Sequence, residues 1–243
     1  MADVRGERRR AIQDAVIESV RFVARAYAVG DRADVRRLAL ACADRRVLPA
    51  CLAKHSEWVA DVLTRYYTDF EPQSGLVAVD PGGTVVGYLL GSRSTARRDR
   101  VVAWRILPRV VLCAVASGGL LMCPWPRLAL DGLRSRRAGR RDERVLRGSF
   151  PAHLHLGVDL GFRGCGVGRT LVERFATETA RAGVPGINAS VLLPNDAGRA
   201  FFAACGFREL GHGQTRLPGS RSPVSTILFG RALSSPPTEA TRS

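Results

Sequence analysis

The sequence of residues 156–170 is LGVDLGFRGCGVGRT, a short apolar run followed by a glycine-rich turn and the start of a helix. The apolar run is typical of a buried strand. Glycines at positions 164, 166 and 168 allow the main chain to approach a ligand without side-chain clashes. Because the first N–H groups of a helix have no partner within the helix, they can bind anions, and the segment therefore predicts a site for a pyrophosphate group.

Two familiar phosphate-binding patterns do not fit this turn. The nucleotide-triphosphate loop requires a lysine and then Ser or Thr after its last glycine, whereas Arg169 follows Gly168. The dinucleotide-binding pattern requires a third glycine three residues after the second, and Arg169 also occupies that position. The pattern that remains is Arg163-x-x-Gly166-x-Gly168 directly after a strand, with Arg163 and Arg169 adding positive charge on either side.

A second segment, residues 195–207 with the sequence NDAGRAFFAACGF, combines an asparagine, a short helical pattern and a Gly-Phe ending. Between the two segments, Leu171, Val172, Phe175 and Ala176 have helical spacing, this helix is expected to end at Gly183, and residues 187–193 read as a strand. The two motifs, in this order, resemble those of the GNAT superfamily of acyl-CoA-dependent N-acetyltransferases. The string AHLH at 152–155 also resembles the acetyltransferase-like domains of O-GlcNAc-processing enzymes and their bacterial relatives.

The resemblance implies an α/β fold with a mixed, mostly antiparallel central sheet of six to seven strands flanked by helices. It covers roughly residues 20–233 and is strongest over 152–210. Upstream, the patterns predict a first strand, a helix from Asp31 to about Ala43, a helix with apolar spacing at Trp58, Val62 and Leu63, and a hairpin. The predicted strands are 21–27, the hairpin pair 75–80 and 85–90, and the closing pair 208–215 and 225–231.

We predict one acetyltransferase domain over 20–233, an N-terminal helical extension over 1–19 and a disordered tail over 234–243. The domain contains an insert at 91–150 with 14 arginines and four acidic residues, which carries +10 of the total +15. Apolar stretches at 101–107 and 110–121 predict one or two helices there, with the Arg-rich part from Arg134 to Arg147 partly mobile. The insert is interpreted as a lid or acceptor pocket for anionic molecules, as a solvated basic face, or as a peripheral membrane contact.

Composition limits the classes of function. Of the 37 basic residues only Lys54 is a lysine, which indicates a compositional bias toward arginine, and no interleaved aromatic residues accompany the arginines, so nucleic-acid binding is not favoured. The six cysteines lack metal-ligand spacing, which predicts a reduced compartment and no metal. The first 13 residues show no secretory signal, so we expect a cytoplasmic protein. The longest apolar run, 110–123, is too short to span a bilayer.

The resemblance implies that an acetyl group moves from acetyl-CoA to an amine of a small molecule or protein by direct attack. The main chain of three strand residues would pair with the pantetheine arm, and Val158 N–H would lie near the thioester oxygen. The turn would bind the pyrophosphate, Asn195 would hydrogen-bond the cofactor, and Phe201 would pack under it. The implied cofactor-binding residues are Leu156, Gly157, Val158, Arg163, Gly164, Cys165, Gly166, Val167, Gly168, Arg169, Thr170, Asn195 and Phe201.

The catalytic positions depart from the family pattern. Phe202 stands where a tyrosine commonly protonates the thiolate, and Ser190 stands where some relatives carry a glutamate base. Asp159 is a common family residue that orients the turn or, alternatively, acts as a base. The candidate catalytic residues are therefore His155, Asp159 and Ser190. The alternative function is a non-catalytic acyl-CoA-binding module whose Arg-rich insert contacts an anionic partner or a membrane surface. Both a monomer and a homodimer are compatible with the sequence.

The histidine pair on the predicted strand has two interpretations. His153 and His155 resemble a pair in arylalkylamine acetyltransferases that assists proton removal. Measured from Arg163, however, the pair is displaced by one residue, which turns both side chains to the opposite face of a regular strand unless a bulge restores them. The histidines are then either catalytic or hydrogen-bonded structural residues.

Overall fold

The computed structural model describes residues 22–43, 56–116, 148–215 and 224–233. The predicted N-terminal helix, the Arg-rich stretch 134–147 and the C-terminal tail lie outside the described residues. Within the described part, no helix is long and apolar enough to cross a membrane.

The first half of the chain forms the elements that the sequence predicts. The strands are β1 (Val23–Ala26), β2 (Gly75–Val79) and β3 (Val85–Ser92), and the helices are α1 (Arg32–Cys42) and α2 (Ser56–Phe70), with short 3-10 turns at Val29–Asp31 and Pro72–Ser74. Asp31 stands at the N-cap of α1 as predicted, but its carboxylate does not cap the helix. It instead accepts two hydrogen bonds of 2.7 Å from Arg25 and one of 2.8 Å from Ala28 N–H.

Part of the insert forms a continuous helical run. It consists of α3 (Thr95–Val101), a π-helical segment (Val102–Ile106) and α4 (Leu107–Ala116), so the helices predicted here are confirmed. Ser94 accepts a hydrogen bond from Arg97 N–H and caps the run at its N-terminus. The π-helical segment was not predicted, because periodicity at 3.6 residues does not reveal the wider turn.

The second half contains the two motif segments in regular elements. They are β4 (Ala152–Val158), a 3-10 turn (Leu160–Phe162), α5 (Val167–Arg181), β5 (Gly186–Leu192), α6 (Asp196–Ala204), β6 (Arg208–Thr215) and β7 (Val224–Ala232). The predicted helix face of 171, 172, 175 and 176 is buried.

The strands form one seven-stranded sheet in the order β1-β2-β3-β4-β5-β7-β6. All neighbouring pairs are antiparallel except β4 and β5, which are parallel. The expected mixed, mostly antiparallel sheet is therefore confirmed. The parallel pair is short, because only Ala152 with Ile187 and His153 with Asn188 are in register before the two strands separate.

The two faces of the sheet have separate cores. On one face, α5 and α6 pack on the sheet through Leu154, Leu171, Ile187 and Phe202. On the other face, α1, α2 and the insert cover residues such as Tyr88 and Leu90. Each large apolar side chain that is fully buried contributes about 1.5–3 kcal/mol to the hydrophobic stabilisation of this arrangement.

Ion pairs join α1 to α2 on the second face. Arg36 binds both Glu57 and Asp61, and Arg32 binds Asp69. Arg65 of α2 binds Asp61 and Asp69 in turn. Glu57, Asp61 and Asp69 of α2 are therefore each paired with at least one arginine.

Candidate active site

The gap between β4 and β5 is the central feature of the site. Asp159 N–H donates to Val86 O at 2.9 Å, which fixes the hydrogen-bond alternation between β3 and β4. In an antiparallel pair, alternate residues direct their main-chain groups to the partner strand. Asp159 and Gly157 therefore face β3, whereas Leu156 and Val158 direct their N–H and C=O groups into the gap, beyond the two residue pairs that join β4 to β5.

Val158 lies at the open end of this gap. Its carbonyl accepts hydrogen bonds from Cys42 Sγ at 3.5 Å and from Arg163 Nε at 3.3 Å. The Arg163 side chain, predicted to bind cofactor, thus contacts the end of the strand through Nε. With the carbonyl bonded inside the protein, Val158 N–H is the main-chain group that this residue presents to a ligand.

The predicted phosphate turn follows at once and is open to solvent. Gly164 and Gly166 adopt φ of 81° and 84°, the left-handed conformation that favours glycine, and Gly166 is the N-cap of α5. The first main-chain bond of the helix runs from Thr170 N–H to Gly166 O at 3.0 Å, so the N–H groups of Val167, Gly168 and Arg169 have no acceptor within the helix. Gly164, Gly166, Arg169 and Thr170 are exposed, and Cys165 is half-buried.

Asp159 and Asn195 each cap a helical segment of the site. Asp159 Oδ1 accepts the Gly161 N–H at 3.0 Å and caps the 3-10 turn. Asn195 Oδ1 accepts the Gly198 N–H at 2.9 Å and caps α6. The carboxylate thus holds the turn, and the Asn195 amide NH₂ is the part of that side chain suited to the predicted cofactor contact.

The two phenylalanines of α6 have different surroundings. Phe201 is half-buried and its ring lies against the start of α5, where a Cβ on Gly168 would come within 3.0 Å of it. Phe202 is buried, and its ring packs against Phe207 and Phe229 at centroid distances of 5.2 and 6.0 Å. The usual acid position is therefore occupied by a core ring without a hydroxyl group.

Ser190 lies on the opposite face of β5 from Phe202. Its neighbours Ala189 and Val191 belong to the α5 and α6 core, so strand alternation directs Ser190 to the face of α1 and α2. Its side chain is exposed and stands two residues beyond Asn188, where β4 and β5 have separated.

His153 is held where β4 and β5 still pair. The Asn188 amide NH₂ donates to Ala152 O at 2.6 Å, Phe150 O at 2.7 Å and Thr95 Oγ1 at 3.0 Å, which leaves its Oδ1 to accept the Nδ1–H of His153 at 2.9 Å. Burial, and then the nearby Arg98 charge, hold the pKa of His153 well below its usual value. A neutral His153 bonded to a buried asparagine is thus part of the junction between the two strands.

His155 lies on the same face, two residues closer to the gap. Its Nδ1 is 3.4 Å from Tyr88 Oη, and burial together with the Arg98 charge lowers the pKa of His155 to about 4. The register between β3 and β4 is continuous over 87–92 and 153–158, so in this described pairing no bulge turns the histidines to the other face. Both face α1 and α2, whereas Leu154 and Leu156 face α5.

Sequence reasoning missed Tyr88, Asn188 and Arg98. Tyr88 is fully buried and covers Gly157, where a Cβ would lie 2.5–2.7 Å from its ring and hydroxyl. Burial raises the pKa of Tyr88 well above its usual value. Arg98 of the insert binds Asp99 at 2.8 Å. A glycine that pairs across strands with an aromatic residue is a usable signal, but it requires the strand register, which the sequence alone does not supply.

The phosphate turn, the divergent strands and α6 also match known proteins. The model of the Acetyltransferase (GNAT) family matches residues 135–207, which contain all three features. The crystal structure of SsHAT superposes with a TM-score of 0.63 and 25% sequence identity, covering 87% of this chain and 98% of that one. Residues 135–207 therefore match the GNAT family, and the seven-stranded sheet has the GNAT fold.

Other GNAT-like structures show the same fold at lower identity. An N-acetyltransferase from Staphylococcus aureus Mu50 has a TM-score of 0.51 and 13% identity, covering 88% of this chain and 99% of that one. The NatC complex bound to Gag peptide and CoA has a TM-score of 0.51 and 14% sequence identity, covering 88% of this chain and 99% of that one. No curated protein matches the sequence. The narrower resemblance to the acetyltransferase-like domains of O-GlcNAc-processing enzymes is not confirmed and stays a prediction.

Among the described residues, the structure brings together some of the predicted site residues and separates others. Leu156 and Val158 lie along the gap and the phosphate turn follows them in the chain, while Phe201 of α6 lies against the start of α5 and Asn195 caps α6. Gly157 lies under the Tyr88 ring, where a larger side chain would not fit. His155 and Ser190 are on the α1 and α2 face. No three His, Cys, Asp or Glu side chains of the described part form a metal-binding group.

Proposed function

We propose that this chain is an N-acetyltransferase that moves an acetyl group from acetyl-CoA to an amine of a small molecule or protein by direct attack. The observation that supports it is the gap in which Leu156 and Val158 present unpaired main-chain groups, ending at an exposed phosphate turn. An extended pantetheine arm fits such an edge as an additional strand does. The turn and the first N–H groups of α5 match the charge of a pyrophosphate.

In the proposed reaction a C–N bond forms at the thioester carbonyl and the C–S bond breaks. Val158 N–H donates to the carbonyl oxygen and stabilises the negative charge that develops there. His155, neutral at pH 7, hydrogen-bonds the amine and passes its proton to water, since a pKa of about 4 makes it a weak base. Ser190, exposed at the separation of the strands, is placed to orient the acceptor. The departing thiolate takes its proton from water, because Phe202 has none to give.

We infer from Arg98 of the insert that the acceptor of this site carries an anionic group. Arg98 extends from α3, lowers the pKa values of His153 and His155, and has a side chain that is 20% exposed. A substrate carboxylate or phosphate is the chemistry that this guanidinium would bind. The Arg98→Gln variant is expected to raise KM about tenfold for an anionic amine and to leave KM for a neutral amine unchanged, because hydrogen bonds to charged groups contribute about 1.5–3 kcal/mol. Equal effects on both amines would argue against this role.

The decisive experiment is calorimetric titration with acetyl-CoA and with free CoA. We expect saturable binding of both, and at least about 100-fold weaker binding for Gly166→Asp, in which a carboxylate stands in the anion site. Gly183→Asp is the matched control, because Gly183 at the end of α5 has a φ of 73° and equally open surroundings. Absence of binding to the wild-type chain, or equal loss in both variants, would contradict the proposal.

A non-catalytic acyl-CoA-binding module is the second candidate. Phe202 in the core and Ser190 at the base position support it, since neither of the side chains usual there is present. An assay of acetyl transfer to a panel of amines separates the two. Transfer that Gly166→Asp abolishes supports the enzyme, and tight acetyl-CoA binding with no transfer supports the module.

A further inference from the structure

The outer face of the insert helices combines exposed apolar and basic side chains. Trp104 is 78% exposed and Leu112 is 68% exposed, and Leu107 is also exposed. The arginines that surround them are exposed as well, namely Arg97, Arg100, Arg105 and Arg109. The inner face of the same helices packs in the core through Ile106 and Val110. The run is therefore amphipathic, with an outer face that mixes large apolar groups with positive charge.

The acidic residues of the described insert and of its packed neighbour α2 bind other arginines. Residues 93–116 contain one acidic residue, Asp99, which is half-buried and binds Arg98. The packed neighbour α2 directs Glu57, Asp61 and Asp69 to arginines of α1 and of α2 itself. The four exposed arginines thus give this face a positive charge, which favours an anionic partner.

The sequence that follows α4 and a second copy of the chain both carry a net positive charge. The segment that follows α4, residues 117–147, has eight arginines and three acidic residues, a net charge of +5. A second copy carries +15 overall. Charge repulsion therefore disfavours both as the group that covers the outer face, and an anionic surface of other chemistry is favoured.

We propose that this outer face, from Arg97 to Leu112, binds the surface of an anionic lipid bilayer. Arginines bind lipid phosphate groups, while Trp104, Leu107 and Leu112 enter the boundary between headgroups and acyl chains, as an interfacial amphipathic helix does. Nucleic acid offers the phosphates but no apolar layer for the two leucines.

The test is co-sedimentation of the full chain with vesicles of phosphatidylcholine that contain phosphatidylglycerol, compared with vesicles of phosphatidylcholine alone. We expect binding to the anionic vesicles only, weakened by salt. The variant with Trp104→Ser and Leu112→Ser, and the variant with Arg100→Gln, Arg105→Gln and Arg109→Gln, are each expected to bind at least about tenfold more weakly. The controls are Val29→Ser, which changes an exposed apolar residue, and Arg181→Gln, which changes an exposed arginine, both outside the insert helices.

Each outcome decides the proposal. Failure of the wild-type chain to bind anionic vesicles overturns it, as does binding that survives the Trp104 and Leu112 changes. Binding to a duplex oligonucleotide that the arginine variant loses and the apolar variant retains would assign the face to nucleic acid instead. Acetyl-CoA titration of both variants confirms that they are folded, and this measurement is independent of vesicle binding.

Discussion

The two faces of β4 differ in chemistry although they alternate along the same seven residues. Toward α5, the strand presents Ala152 and Leu154 to an apolar core that fixes the phosphate turn and α6. Toward α1 and α2, it presents His153 and His155 to a polar cluster with Asn188, Tyr88 and Arg98. One face thus holds the phosphate turn and α6 by packing, and the other carries hydrogen-bonding and titratable groups, which the proposed function assigns to the acceptor.

The comparison shows that the two faces of one strand are stabilised in different ways. Packing tolerates exchange of one apolar residue for another of similar volume, so conservative changes on the α5 face are expected to act locally. A buried polar cluster must satisfy every donor and acceptor, so a change at one residue affects the others. Substitutions on the two faces are therefore expected to have different signatures.

The largest effect is expected at the polar junction between β4 and β5. Asn188→Leu removes the amide that serves the carbonyls of Phe150 and Ala152 and leaves buried polar groups without partners, which we expect to cost about 4 kcal/mol in the free energy of unfolding. Urea denaturation measures this change in the free energy of unfolding. Ser190→Ala, two residues further on the same face, is the control and should change stability by less than about 0.5 kcal/mol. A loss below about 1 kcal/mol for Asn188→Leu would show that the junction does not depend on this side chain.

On the apolar face, Leu171→Ala should cost about 3 kcal/mol, because it deletes a fully buried side chain and leaves a cavity. The control is Leu160→Ala, since Leu160 is 76% exposed. Denaturation at pH 5 and pH 7 should give the same loss for Leu171→Ala. A loss that changes with pH would mean that the two faces are coupled.

The pH dependence of stability should reflect protonation of the histidines on the polar face. The folded-state pKa of His155 is about 4, below the usual 6.5, so the unfolded chain binds more protons between these values. Stability is then complete above pH 6.5 and falls as the pH decreases toward 4, by about 2 kcal/mol after allowance for partial exposure. His155→Gln should reduce the slope of thermal unfolding against pH in this range, leaving the part that comes from His153, whose pKa is also lowered. An unchanged slope in that variant would contradict the assigned cause.

The smallest effect is expected for Tyr88→Phe. The hydroxyl lies 3.4 Å from His155 Nδ1, a long contact, so its removal should cost about 0.5 kcal/mol. Combining it with His155→Gln in a double-mutant cycle measures the coupling. A coupling energy above about 1.5 kcal/mol would show that the pair acts as one unit.

The local features of the fold were predictable, and the features that depend on distant contacts were not. The phosphate turn, α5 and α6 are encoded in short contiguous patterns, so their positions agree with the sequence to within a few residues. The separation of β4 from β5 depends on pairing between distant segments and leaves no local pattern. The same holds for Asn188, which reads as an ordinary strand residue until its four hydrogen-bond partners are known.

The short join between β4 and β5 divides the sheet into two sub-sheets, β1 to β4 and β5 to β7, in contact over two residue pairs. Main-chain amides beside the gap should therefore exchange hydrogen with solvent faster than those of β2 and β3, which have strands on both sides. A ligand that bridges the gap would slow this exchange on both of its edges. Because the gap is already open beyond the two residue pairs, a ligand could leave along it without breaking any strand pairing.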